Sequence, residues 1–155
     1  MTNRHDWPLA SSRPAAGFGD EMLAAMQKAG IRYMELSSGA IPPFTETLDY
    51  VNNAKAVYAK ANAYDVTISS IPLPFSPFTK IDPATADPDC RKYMYELQSG
   101  LLKAAGDSGV EIAVIHPSGE PYREEDRPEK MKYAIDMIAS LTETAKSAGI
   151  VLALE

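Results

Sequence analysis

The strongest constraint on this chain is a junction that it repeats. Three times an amphipathic stretch closes on a small residue and Gly, and a β-branched residue at once opens an apolar run: Ala29-Gly30-Ile31, Ser108-Gly109-Val110 and Ala148-Gly149-Ile150. Gly just past a helix end supplies the left-handed backbone that closes the helix, and a β-branched residue suits the strand that follows. A fourth, irregular copy runs Asn62-Ala63-Tyr64-Asp65 before Val66, with Asn62 in the place of Gly. Such a recurrence predicts a series of βα units.

The segments between the junctions have helical faces. A first helix is predicted over residues 19–29. A stripe of Leu48, Val51, Ala54, Val57, Tyr58 and Ala61 follows Thr45, and Leu97, Leu101, Ala104 and Ala105 follow Asp87-Pro88. In the last helix Met131, Ala134, Ile135, Ile138, Leu141 and Ala145 keep the spacing of a core-facing stripe. Its start carries Asp126 as N-cap, Pro128 in the first turn and Glu129 as the return partner of a capping box. Residues 31–36, 66–71, 111–115 and 150–154 are short and nearly continuous in apolar character, as parallel strands covered by helices are. A weaker opening strand is predicted near residues 7–12.

Five parallel strands and four helices in alternation fit two architectures. One is an open doubly wound sheet; the other is the first part of a (β/α)8 barrel, whose full form runs to about 250 residues. The open nucleotide-binding sheet carries a Gly-rich phosphate loop after its first strand. Here only Gly17 and Gly19 lie nearby. The expected fold is therefore α/β, the first five strands and four helices of a TIM barrel, with residues 1–155 as one domain cut after the fifth strand.

Composition narrows the function. A formal charge of −6 without any basic run speaks against nucleic acid, because phosphate neutralisation needs clustered Lys and Arg. No stretch approaches the ~18 consecutive apolar residues of a membrane span, and the N-terminus has no secretory pattern. The single Cys90 rules out an internal disulfide and is compatible with a reducing cytoplasm. Cys90 follows Asp87-Pro88-Asp89 at a helix start, where flanking carboxylates oppose thiolate formation.

In a barrel the C-terminal ends of the strands carry the chemistry. The second strand ends in Glu35-Leu36-Ser37-Ser38, and the third runs through Ser69 and Ser70 to Pro72-Leu73-Pro74-Phe75-Ser76. The fourth ends in His116-Pro117-Ser118-Gly119 and the fifth in Glu155. Carboxylate and imidazole together make a mixed O/N site suited to Mn²⁺, Mg²⁺, Co²⁺ or Zn²⁺. A metal so held polarises a carbonyl while a nearby carboxylate moves the proton on the adjacent carbon. Each residue also has a plainer reading. Glu155 and Glu35 are then solvated carboxylates, His116 a strand-ending residue bonded to backbone, and Tyr122 and Arg123 surface loop rather than an anion clamp. The proline-rich run is a stiff loop or a pocket wall in which Phe75 or Phe78 shields a substrate from water.

At these residues the chain resembles the xylose isomerase-like TIM barrels, the superfamily of sugar phosphate isomerases and epimerases. The similar pieces are GIRYMELS (30–37), ISSIPLPF (68–75), VEIAVIHPSG (110–119) and SAGIVLALE (147–155). The resemblance implies a divalent metal at the barrel mouth, with Glu155 as a metal ligand and acid–base group. It implies His116 as a ligand or pocket residue and Glu35 as a substrate-pocket residue. The remaining ligands, an Asp, a His and a second Glu on later strands, are not in this sequence. Pro72 stands where many relatives carry a His, which points away from a three-zinc site.

The reading is thus of a metal-dependent sugar or sugar-phosphate isomerase or epimerase, cytoplasmic, of which this chain is an N-terminal portion, inactive by itself. A second reading is a non-catalytic module that self-associates through the unpaired edges of a partial barrel. A third, an open-sheet anion binder, would use the loop near residues 17–20.

Overall fold

The computed structural model describes residues 10–13, 18–36, 47–75, 82–117 and 123–155. The strands are β1 (Ala10–Arg13), β2 (Tyr33–Leu36), β3 (Thr67–Pro72), β4 (Ile112–Ile115) and β5 (Val151–Leu154). Between them lie α1 (Asp20–Ala29), α2 (Thr47–Ala63), α3 (Pro88–Asp107) and α4 (Arg127–Ser147). The expected opening strand is present over Ala10–Arg13; residues 7–9 lie outside the described residues, as do Ser37, Ser38, Gly17 and residues 76–81 and 118–122 with Phe78 and Tyr122.

The sheet order is β1-β2-β3-β4-β5, every neighbouring pair parallel. That order decides between the two architectures. A doubly wound sheet reverses its strand order and places helices on both faces. Here the order never reverses, and α2 packs on α3 and α3 on α4 as helices of one layer. The result is the sheet of a (β/α) barrel seen through its first five strands. Strand alternation separates its two faces. Met34 and Leu36, and Ala113 and Ile115, are buried beneath the helices, while Tyr33, Glu35 and Ile112 are exposed on the other face.

Strand β3 departs from strict alternation. Its register against β2 jumps from Met34↔Ile68 to Glu35↔Ser70. Ser69 is the extra residue of this bulge, and its Oγ donates to the Met34 carbonyl at 3.4 Å. The bulge resets the phase of the strand, so that Ile68 and Ile71, three apart, are both buried.

The helix ends correct two sequence expectations. The left-handed residue of the irregular junction is Asp65, at φ 55°, not Asn62; Gly30, Gly109 and Gly149 hold the same conformation in the regular copies. Asn62 stays inside α2, its amide donating to the Ser108 carbonyl at 3.4 Å. Asp65 is retained by the Gln27 amide at 3.2 Å and the Arg32 guanidinium at 3.7 Å, both exposed contacts. Asp65→Gly is therefore expected to leave stability within about 0.5 kcal/mol, since relief of the left-handed carboxylate offsets two weak contacts. Gly109→Ala should cost about 1 kcal/mol. Urea unfolding of the two variants checks the contrast.

At α4 the expected cap is not made. A 3₁₀ turn, Glu124–Asp126, runs directly into the helix, leaving Asp126 helical and without a side-chain cap bond. Its carboxylate instead accepts from Arg123 Nε at 2.9 Å and Arg123 NH2 at 3.1 Å. Asp87 does cap α3, accepting from the amides of Asp89 and Cys90 at 2.9 and 3.0 Å.

The core-facing stripe of α4 is also rotated. Ala134, Met137, Leu141, Thr144 and Ala145 are buried, whereas Met131 and Ile135 are 53% and 58% exposed. Two apolar stripes run side by side on this helix, and packing on α3 and the sheet selects the one through Met137. On α2 and α3 the expected faces are buried at Ala54, Val57, Tyr58, Ala61, Leu97, Leu101, Ala104 and Ala105. The side chain of Leu48 lies outside the described residues.

Candidate functional site

Backbone pairing builds the site before any side chain does. The β4–β5 register ends at Ile115↔Leu154, and the Glu155 amide extends it by donating to the Ile115 carbonyl at 3.2 Å. The next side chains on the two strands, His116 and Glu155, fall on the face opposite the buried Ile115. They meet there, His116 Nε2 lying 3.5 Å from Glu155 Oε2. The imidazole is largely covered, with 30% of its side chain exposed; the carboxylate is open to solvent at 70%.

A third group comes from the loop after β3. The Leu73 amide donates to the Val114 carbonyl at 2.8 Å, continuing the ladder past Pro72. Two residues on, the Phe75 ring stacks on His116, centroids 4.0 Å apart and planes inclined at 30°. One face of the imidazole is thereby covered by hydrocarbon, while its Nε2 edge meets the carboxylate. Pro72 is the last residue of β3, a place where the missing N–H is tolerated.

Glu35 does not join this pair. It lies inside β2, in register with Ser12 of β1 and Ser70 of β3, exposed on the same uncovered face. Among the described residues, no three His, Cys, Asp or Glu side chains lie close enough to hold one metal ion. His116 and Glu155 present one nitrogen and one oxygen donor 3.5 Å apart, two of the donor atoms a divalent ion would need and too few to complete a site. Arg123, weighed as an anion clamp, is committed to Asp126 and Glu125.

One residue of the site escaped the sequence reading. Gln98, fully buried on α3, donates through Nε2 to the Pro74 carbonyl at 2.9 Å. Its signal was a polar residue four places from both Met94 and Leu102 in an otherwise apolar stripe.

The strand order and the single helical layer define a class, the parallel (β/α) barrel. The chain shares this fold with a group of solved structures. D-psicose 3-epimerase from Clostridium cellulolyticum superposes with a TM-score of 0.67 at 15% identity, over 94% of this chain and 51% of that one. A xylose isomerase domain protein from Planctomyces limnophilus gives 0.62 at 18%, over 96% and 53%. The TTHB071 protein from Thermus thermophilus, soaked with ZnCl₂, gives 0.63 at 19%, over 96% and 55%. The chain spans about half the length of these structures. No family profile matches the sequence, nor does any curated protein. No helix among the described residues is long and apolar enough to cross a membrane.

Proposed function

We propose that this chain contributes part of the mouth of a sugar or sugar-phosphate isomerase or epimerase. The observation that carries the reading is the His116–Glu155 contact of 3.5 Å at adjacent strand ends, with Phe75 stacked on the imidazole. The structural likeness to sugar epimerases supports it. In this reading His116 and Glu155 supply two ligands to a divalent ion, Mn²⁺, Mg²⁺, Co²⁺ or Zn²⁺. Such an ion, when bound, polarises the sugar carbonyl and its neighbouring hydroxyl.

The chain's own residues do the rest. For isomerisation the Glu155 carboxylate takes the proton from the carbon beside the carbonyl and returns it to the neighbouring carbon on the same face; for epimerisation a second carboxyl group on the opposite face of the sugar returns the proton. His116 stands beside the carboxylate, and Phe75 keeps water from the imidazole face. Glu35 accepts hydrogen bonds from substrate hydroxyls on the uncovered face of the sheet. Residues 1–155 then form one part of a larger barrel, whose later strands bring the other ligands. The support is the length of the matched structures; a lone cysteine is compatible with a cytoplasmic enzyme.

The test is solvent exchange. The protein isolated from its source, and the chain 1–155 expressed alone, are incubated in ²H₂O with ketoses, aldoses and their phosphates plus each metal. Deuterium should enter the carbon beside the carbonyl in the isolated protein, and chelation should abolish this. The chain alone should be inactive. Absence of exchange with every ion would remove the reading.

A second reading has its own observation. Val151 and Leu154 of β5 are 64% and 63% exposed, and Met131 and Ile135 of α4 are exposed as well. An uncovered strand edge beside an apolar helix flank favours self-association of a non-catalytic module. Sedimentation of chain 1–155 should then show a concentration-dependent oligomer; a monomer at high concentration rejects this alternative.

A further inference from the structure

The loop that carries Phe75 has an unusual support problem. After Leu73 bonds to Val114, the next residue is Pro74, which has no N–H to offer a neighbouring strand. The carbonyl is its only polar handle, and Pro74 is buried. A buried carbonyl needs a donor, and Gln98 Nε2 provides it at 2.9 Å from within α3.

Gln98 makes this bond on uneven terms. It is 0% exposed, and its own Oε1 is buried without a hydrogen-bond partner among the described residues. A Leu or Met of similar volume would avoid that orphaned acceptor at a position flanked by Leu97, Leu101 and Leu102, all buried. What neither could do is donate to Pro74. The side chain is thus poorly accounted for as core packing and well accounted for as an anchor of the loop.

The anchored carbonyl immediately precedes Phe75, whose ring lies 4.0 Å from that of His116. His116 in turn meets Glu155. We infer that Gln98 is a positioning residue: by fixing Pro74 it holds Phe75 against His116, and so sets the plane in which the imidazole presents Nε2 to the barrel mouth. The device belongs to the geometry of the mouth and holds whichever reaction proceeds there.

The test reads the imidazole directly. The chain has two histidines, His5 and His116, so a His5→Asn background leaves one set of ring signals in the NMR spectrum. At one fixed pH the stacked His116 ring protons should be shifted upfield and show cross-relaxation with the Phe75 ring. Phe75→Leu should abolish both, and Phe75→Tyr should restore them. Gln98→Leu and Gln98→Met should weaken both signatures while Phe75 is still present.

Leu141→Ala, a core change on α4, should lower the melting temperature and leave the signatures in place. Retention of the full shift and cross-relaxation in a folded Gln98 variant would overturn the inference. Should neither Gln98 variant fold, the wild-type side-chain amide decides. Slow hydrogen exchange of the Gln98 Nε2 protons supports the anchor, and exchange as fast as that of an exposed amide overturns it. None of these measurements reads turnover, so failure here is distinct from failure of the proposed isomerase activity.

Discussion

Glu155→Gln is expected to lower turnover by roughly 10²–10⁴-fold, the usual worth of a positioned proton-transfer group, while leaving the fold intact. The two halves of that expectation come from the same geometry. The carboxylate is 70% exposed and meets His116 at 3.5 Å, so an amide of equal size disturbs no packing. Stability should stay within about 0.5 kcal/mol.

Gln, however, cannot take a proton from carbon, and its neutral oxygen is a poorer ligand for a hard divalent ion. Steady-state rates and solvent deuterium incorporation, measured on the protein isolated from its source and the same protein carrying the substitution, check this. A loss confined to KM would make Glu155 a binding group. An unchanged rate would take it out of the mechanism altogether.

Gly106→Ala is expected to be the most damaging small change to the fold, costing about 3 kcal/mol, the upper part of the range for overpacking. Gly106 lies in the last turn of α3, and a Cβ there would collide with the backbone carbonyl oxygen of Ala148 and sit 3.0 Å from its Cβ. Neither atom can retreat easily. The Ala148 amide is tied to the Thr144 and Ala145 carbonyls at 3.0 and 3.1 Å, and the Ile150 amide to Ala145 at 2.9 Å. The close approach locks α3 to the turn that launches β5, and so to the strand that presents Glu155.

For a chain of this size the expected fall in melting temperature is roughly 6–12 °C, measurable by calorimetry. Gly100→Ala is the comparison. Its Cβ would meet the Val51 side chain, Cγ2 at 2.9 Å; a helical Val is held to one rotamer, but no backbone atom is met, so the change should cost about 1 kcal/mol, less than Gly106→Ala. Equal melting temperatures for the two variants would show that the Ala148 turn yields more readily than its hydrogen bonds suggest.

Most of the fold was legible because its signals are local. A glycine that takes a left-handed φ does so from its own lack of a Cβ, and Gly30, Gly109 and Gly149 all do. An apolar stripe of helical spacing declares a helix whatever it packs against, and a short β-branched run between helices declares a buried strand. With the strands placed, their ends followed. His116 was found one residue beyond β4 because that strand stops where its apolar run stops, and Glu155 was found directly after the apolar run of β5.

What the sequence determined by itself was therefore the βα alternation, the positions of the strands and the identity of two residues at their ends. Tertiary structure alone decided the rest, because each remaining feature is a choice among contacts between distant parts of the chain. Packing chose the Met137 stripe of α4 over that of Met131. The pairing of β2 with β3 created the bulge at Ser69 that buries Ile71. The sheet kept Glu35 apart from the other two candidates, two strands away from His116. The Gln98 bond to Pro74 spans 24 residues of sequence. No periodicity along a chain encodes such a contact, since it exists only once α3 has been laid across the end of β3.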